Sequence, residues 1–127
     1  MAKKVLVADD DQNISDLLKI ALEGYGYDVT IARDGAQAIK KAIEIKPDVL
    51  ILDIMMPKAD GCEVLKVVKS MPDLQKVGII MLTSKNLIKD IETTFSLGAD
   101  NYVTKPFQID RLVAKIEKLC GEKNKKL

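Results

Sequence analysis

The sequence predicts a doubly wound α/β domain with a five-stranded, mostly parallel sheet and five helices. Three observations predict it: short, nearly uninterrupted apolar runs alternate with longer segments of helical periodicity, glycine, proline and aspartate punctuate the boundaries, and polar residues collect just after the apolar runs. Strands covered on both faces read as such apolar runs. Strict strand–helix alternation with short connections then requires right-handed crossovers and helices on both faces of the sheet.

The first run is Val5 to Ala8, followed by Asp9-Asp10-Asp11. Ile14, Leu17, Leu18, Ala21 and Leu22 form the stripe of the first helix, and Gly24 and Gly26 follow it. Tyr27 to Ala32 is a more mixed run suited to a sheet edge. Asp34 is placed to cap a second helix with the stripe Ala36, Ile39, Ala42 and Ile43, which Lys46-Pro47 closes. Val49 to Leu52 is the third strand and Asp53 ends it; Val64, Leu65 and Val68 mark the third helix. Ile79 to Leu82 is the fourth strand, ended by Thr83, and Leu87, Ile88, Ile91 and Phe95 mark the fourth helix before Gly98. Asn101 to Thr104 is a second mixed strand followed by Lys105, and Ile109, Leu112, Val113, Ile116 and Leu119 complete the series. One domain over residues 1–121 and a short polar tail over 122–127 account for the chain.

Its 127 residues suit one domain. With 20 basic and 19 acidic residues the formal charge is +1, so no single-signed field points to nucleic acid or a membrane surface. The Lys123-Asn124-Lys125-Lys126 run reads as a solvated end. Two cysteines, Cys62 and Cys120, and no histidine exclude a structural zinc site; both cysteines read as small hydrophobes. The apolar run after Lys3-Lys4 is too short for a signal peptide or a membrane span, so a cytoplasmic location without membrane insertion is expected.

In a doubly wound sheet, ligands gather beyond the carboxyl ends of the strands. That rim would collect Asp9, Asp10, Asp53, Thr83 and Lys105. Clustered carboxylates repel unless a cation compensates, and Mg²⁺ is the economical choice, with Asp10 and Asp53 as direct ligands, Asp9 direct or through water, and a backbone carbonyl beyond Asp53. A carboxylate beside such an ion can act as a nucleophile toward phosphorus; Lys105 supplies a point charge and Thr83 a hydroxyl donor for the phosphoryl oxygens. Taken singly, the aspartate triplet could be a helix cap, Asp53 a strand terminator, Thr83 a cap and Lys105-Pro106 an ordinary turn. Those separate readings leave the convergence unexplained.

The run Val5-Leu6-Val7-Ala8-Asp9-Asp10, the segment Asp53-Ile54-Met55-Met56-Pro57 with Asp60-Gly61, the run Met81-Leu82-Thr83-Ser84, and Gly98 through Phe107 stand in the order and register of one family. Over residues 3 to 121 the chain resembles the receiver domain of two-component response regulators, and it is similar in type to the stand-alone chemotaxis regulators. The resemblance implies a flavodoxin-like (β/α)5 fold with strand order 2-1-3-4-5. It implies that Asp53 takes a phosphoryl group from the phosphohistidine of a sensor histidine kinase and slowly loses it by autodephosphorylation. Asp10, Asp53 and the Met55 carbonyl would ligate Mg²⁺, with Asp9 acting mainly through water. Thr83 and Tyr102 would transmit the switch, and Lys105-Pro106 would be cis. The signal would be read at the surface of the fourth helix, fifth strand and fifth helix, within residues 86 to 120. Val77-Gly78 and Ala59 depart from the common family pattern, and Met55 and Lys85 stand at the positions that tune phosphoryl lifetime.

Two other functions compete. A true phosphohydrolase with an aspartyl-phosphate intermediate would need a second acid and a pocket for the leaving alcohol, for which no inserted segment is present. An adaptor that binds without phosphorylation is opposed by the intact set Asp9, Asp10, Asp53, Thr83 and Lys105. The receiver reading turns over no separate substrate, so the name enzyme is a matter of convention. Taken as a whole protein, the chain would deliver its output by binding a partner, a flagellar motor switch or a sensor kinase, and not by contacting nucleic acid directly.

Overall fold

A computed structural model of the chain describes residues 2–54, 56, 60–84 and 88–124, with backbone alone at 84, 88–91 and 122–124. Five strands, β1 (Lys4–Ala8), β2 (Asp28–Ala32), β3 (Val49–Asp53), β4 (Gly78–Ser84) and β5 (Asn101–Lys105), alternate with α1 (Gln12–Gly24), α2 (Gly35–Ile45), α3 (Gly61–Ser70), α4 (Ile88–Ser96) and α5 (Ile109–Asn124). A 3₁₀ turn at Pro72–Leu74 precedes β4. The strands form one parallel sheet in the order β2-β1-β3-β4-β5.

Side chains alternate across the sheet and divide the core in two. Leu6, Leu50, Leu52, Ile79 and Met81 pack against Ala38 and Ala42 of α2 and Val64, Leu65 and Val68 of α3. Val5, Val7, Ile51, Ile80 and Leu82 face Leu18 and Leu22 of α1 and Leu112, Val113 and Ile116 of α5. The strands β1 and β3 are inaccessible over their apolar runs, as their sequences require, whereas β2 and β5 are mixed because they lie at the edges.

The helix ends follow local chemistry. Asp11, Asp34 and Asp60 are N-caps whose carboxylates accept from backbone amides of the first turns of α1, α2 and α3. Lys46 closes α2 in the left-handed region at φ 46°, and Gly26 and Gly98 take φ of 95° and 112° in the turns after α1 and α4.

Three helical faces differ from the expected stripes. In α2 the buried residues are Gly35, Ala38 and Ala42, while Ala36 and Ile43 face outward. Leu17 on α1 is exposed, and Ser15 is buried in its place. On α4, among the residues whose side chains are described, Thr94 is buried and Phe95 is exposed; Leu87 and the side chains of Ile88 and Ile91 lie outside the described residues. In α1 and α4 a hydroxyl-bearing residue is buried where periodicity alone favours a larger apolar neighbour. The backbone of α5 also continues through Gly121 to Asn124, three residues into the stretch expected as a polar tail. Glu122 and Lys123 are good helix formers, so their residue types do not stop the helix at Gly121.

Candidate functional site

The order β2-β1-β3 means that the chain leaves β1 for one side of the sheet and later returns to the other. A crevice opens at the carboxyl ends of β1 and β3. Asp9 follows β1, Asp53 is the last residue of β3, Thr83 lies in β4 and Lys105 ends β5. The register places Asp53 opposite Leu82, and pairs Thr83 with Thr104 and Ser84 with Lys105, so all these residues share one rim.

The aspartate triplet divides its work. Asp11 Oδ1 accepts from Asn13 N at 2.9 Å and Ile14 N at 3.3 Å, so this residue is the helix cap. Asp9 is fully buried; its amide donates to Ala32 O at 3.1 Å and its Oδ1 accepts from Asp11 N at 2.9 Å. Both bonds aim its second oxygen at the crevice. Asp10 is exposed at the crevice mouth. One carboxylate oxygen from each of Asp9, Asp10 and Asp53 lies within 4.8 Å of the others.

Asp53 is set by the backbone around it. Ile54 N donates to Leu82 O at 3.1 Å and Gly61 N to Ile54 O at 2.8 Å, which folds the start of α3 against the end of β3. A Cβ on Gly61 would overlap Asp53 O and lie 2.8 Å from Ile54 Cα, so only glycine allows this approach.

Lys105 reaches in from β5. Its Nζ donates to Asp53 Oδ2 at 3.1 Å and stands 3.2 Å from Asp9 Oδ2. Asp9 Oδ2 is buried, and among the described residues the Lys105 ammonium is its close partner. Burial works against the ammonium, but the charges of Asp53 and then Asp9 outweigh it and hold Lys105 above its ordinary value. Among the described residues, three carboxylates face one ammonium, so acidic groups are in excess. A buried carboxylate oxygen with spare acceptor capacity, in a set of hard oxygen donors, fits a divalent cation of the Mg²⁺ type.

Thr83 is buried on the same rim. Tyr102 is not brought to the acidic cluster: it is exposed, and its ring meets that of Phe95 edge to face at 5.9 Å and 80°. The Lys105–Pro106 bond is cis, as expected. Met55, assigned a carbonyl ligand, lies outside the described residues, as do Ala59 and Lys85. Sequence reasoning missed Arg33 and Ser15, joined at 2.9 Å behind the β1–α1 turn. No pattern in the sequence pairs an arginine after one strand with a serine inside another element's helix.

Residues 5–117 match the description "Response regulator receiver domain". The chain is 45% identical over 119 residues to the alkaline phosphatase synthesis transcriptional regulatory protein PhoP of Bacillus subtilis (strain 168), covering 92% of this chain and 48% of that protein. It thus spans about half the length of this curated relative. Among solved structures, the chemotaxis response regulator CheY4 of Vibrio cholerae superposes with a TM-score of 0.88 at 30% identity, covering 94% of this chain and 99% of that one. The receiver domain of a sensor histidine kinase from Pseudomonas aeruginosa PAO1, with a magnesium ion coordinated in its active-site cleft, superposes with a TM-score of 0.88 at 26% identity, covering 95% and 99%. Fold, crevice and sequence agree, and the chain belongs to the response regulator receiver domain family of two-component systems.

Proposed function

We propose that Asp53 is the phosphoacceptor of this receiver domain, with Lys105 and Thr83 as the groups that hold the incoming phosphoryl oxygens. The observation that carries the reading is the Asp53 carboxylate, 3.1 Å from the Lys105 ammonium and within 4.8 Å of Asp9 and Asp10 at the mouth of one crevice. A family member implies a histidine kinase upstream and an effector downstream. An Asp53 oxygen attacks phosphorus, the P–N bond of the kinase phosphohistidine breaks, and the imidazole leaves with that electron pair. Lys105 stays protonated at neutral pH and moves from pairing a carboxylate to pairing a phosphoryl oxygen. Thr83 offers its hydroxyl from β4.

Asp10 and Asp53 would hold Mg²⁺, with Asp9 through water and the Met55 carbonyl completing the protein's share. Bound there, the ion supplies charge neutralisation for the transferring group. Slow hydrolysis of the phosphoaspartate by water resets the domain.

Output is proposed at the face of α4, β5 and α5, where the exposed pair Phe95–Tyr102 lies, with Thr83 and Tyr102 as the switch. The similarity to CheY4 over nearly all of both chains supports a chemotaxis role with a flagellar motor switch as partner. The 45% identity to a transcriptional regulator supports a second reading, in which the same face serves gene control. Phosphorylation-dependent capture by a purified motor-switch protein separates them. A cytoplasmic location fits both, and among the described residues no helix is long and apolar enough to cross a membrane.

Intact-protein mass spectrometry after exposure to a small phosphoryl donor tests the chemistry. One added phosphoryl group that requires Mg²⁺ and disappears in Asp53→Asn is expected. Modification that persists in Asp53→Asn would assign the wrong nucleophile, and none under any condition would favour the phosphorylation-independent adaptor.

A further inference from the structure

Arg33, in the turn between β2 and α2, is held before it meets anything else. Its backbone N–H donates to Gln37 Oε1 at 2.9 Å, while Gln37 N donates to the N-cap Asp34 Oδ1 at 2.8 Å, so both bonds tie the turn to the first turn of α2 through Gln37. From that fixed backbone the guanidinium reaches across to α1. Nη1 donates to Ser15 Oγ at 2.9 Å, and Nη2 lies 3.4 Å from Asp16 Oδ1.

Ser15 is the informative partner because it is fully buried on the first turns of a helix. Its Oγ accepts from Arg33 and shares its own proton with Asp11 O at 3.1 Å and Gln12 O at 3.2 Å, while Ser15 N donates to Asp11 O at 3.0 Å. Asp11 N in turn donates to Asp9 Oδ1. The residue before Arg33 closes the circuit, since Ala32 O accepts from Asp9 N at 3.1 Å. The turn that carries Asp9 and Asp10 is therefore gripped from the β2 end by one backbone bond and one arginine fork.

A cation near the first turn of a helix is unfavourable to the helix dipole, and Asp16 is half exposed, so the ion pair alone gives little reason for this placement. The planar fork, which fixes a direction as well as a charge, accounts for it better. We propose that Arg33 is a positioning residue: through Ser15 it holds the β1–α1 turn so that Asp9 and Asp10 present their oxygens together with Asp53, and it thereby sets divalent-cation affinity without touching the ion. The inference rests on the cation reading of Asp9, Asp10 and Asp53.

Isothermal titration of MgCl₂ into metal-free protein tests it, comparing wild type with Arg33→Ala, Arg33→Lys and Ser15→Ala, each first shown by circular dichroism to be folded. Amide ¹H–¹⁵N shifts of Asp9, Asp10 and Asp11 without metal give a second readout. Outer partners of metal ligands typically matter by ~10–100-fold, and Arg33 acts one link further away, so binding weaker by roughly 3- to 10-fold is expected in all three variants. Those three amide shifts are expected to move as well. Arg33→Lys belongs with the weakened set because an ammonium keeps the charge but loses the fork. Electrostatics alone gives the opposite sign, since deleting a cation beside an acidic cluster favours Mg²⁺. Unchanged or tighter binding in Arg33→Ala overturns the proposal. Wild type that takes up no Mg²⁺ overturns the cation reading itself, whereas wild-type binding retained by all three variants removes only the role of Arg33.

Discussion

Replacing Lys105 by methionine removes the ammonium and keeps most of the side-chain volume. In the folded protein Nζ lies 3.1 Å from Asp53 Oδ2 and 3.2 Å from Asp9 Oδ2, with 23% of the lysine side chain exposed. At an effective dielectric near 20, each contact is worth about 5 kcal/mol of gross attraction, and the two carboxylates repel by at least ~3 kcal/mol once uncompensated. Desolvation of the ammonium offsets most of the gross attraction, and breaking a partly buried pair by deleting one partner leaves a net loss of roughly 2–4 kcal/mol at neutral pH without metal. For a chain of this length that is a fall of about 7–15 °C in Tm. Mg²⁺ restores positive charge at the same carboxylates, so the gap between wild type and variant should shrink in saturating MgCl₂. Thermal unfolding followed by circular dichroism, in EDTA and in MgCl₂, measures both. An equal loss in the two buffers would refute the reasoning, because it would mean that Lys105 contributes packing and not charge compensation.

The same pair of proteins carries a pH prediction. Lys105 is raised in the folded state, so its stabilisation is fully present below the ordinary lysine value of 10.5 and is lost as pH rises through the folded value. The Tm gap between wild type and Lys105→Met should hold from pH 7 to 9 and close above pH ~10.5, and a gap that widens there would contradict the assigned direction. Gly61→Ala forces a methyl against the Asp53 carbonyl and Ile54 Cα, both backbone, and should cost about 1–3 kcal/mol in denaturant unfolding and slow phosphorylation of Asp53. Lys19 Nζ and Lys41 Nζ cap Val29 O and Ile31 O, the carbonyls of β2 that point away from β1, at 3.0 and 2.7 Å. Replacing both lysines by methionine bares that strand edge, so concentration-dependent self-association in light scattering is expected; a monodisperse variant would show that the lysines do not guard the edge.

The strand order of chemistry was legible from the amino-acid sequence because it depends on short-range signals. Apolar runs, aspartate caps and the residues ending each run are local facts, and the doubly wound rule converts them into one rim bearing Asp9, Asp10, Asp53, Thr83 and Lys105. Family resemblance carried the strand order and the cis Lys105–Pro106 bond, which periodicity does not contain. Tertiary packing alone decided which of two plausible residues turned inward: Ala38 over Ala36, Ser15 beside an outward Leu17, Thr94 over Phe95. The sheet face on which each helix packs is built from strands far apart in the chain. The same non-local geometry set the buried Oδ2 of Asp9 against Lys105, and it brought Arg33 to Ser15. Residue type and spacing determine what a side chain can do, and the partner it meets across the sheet determines which of those things it does.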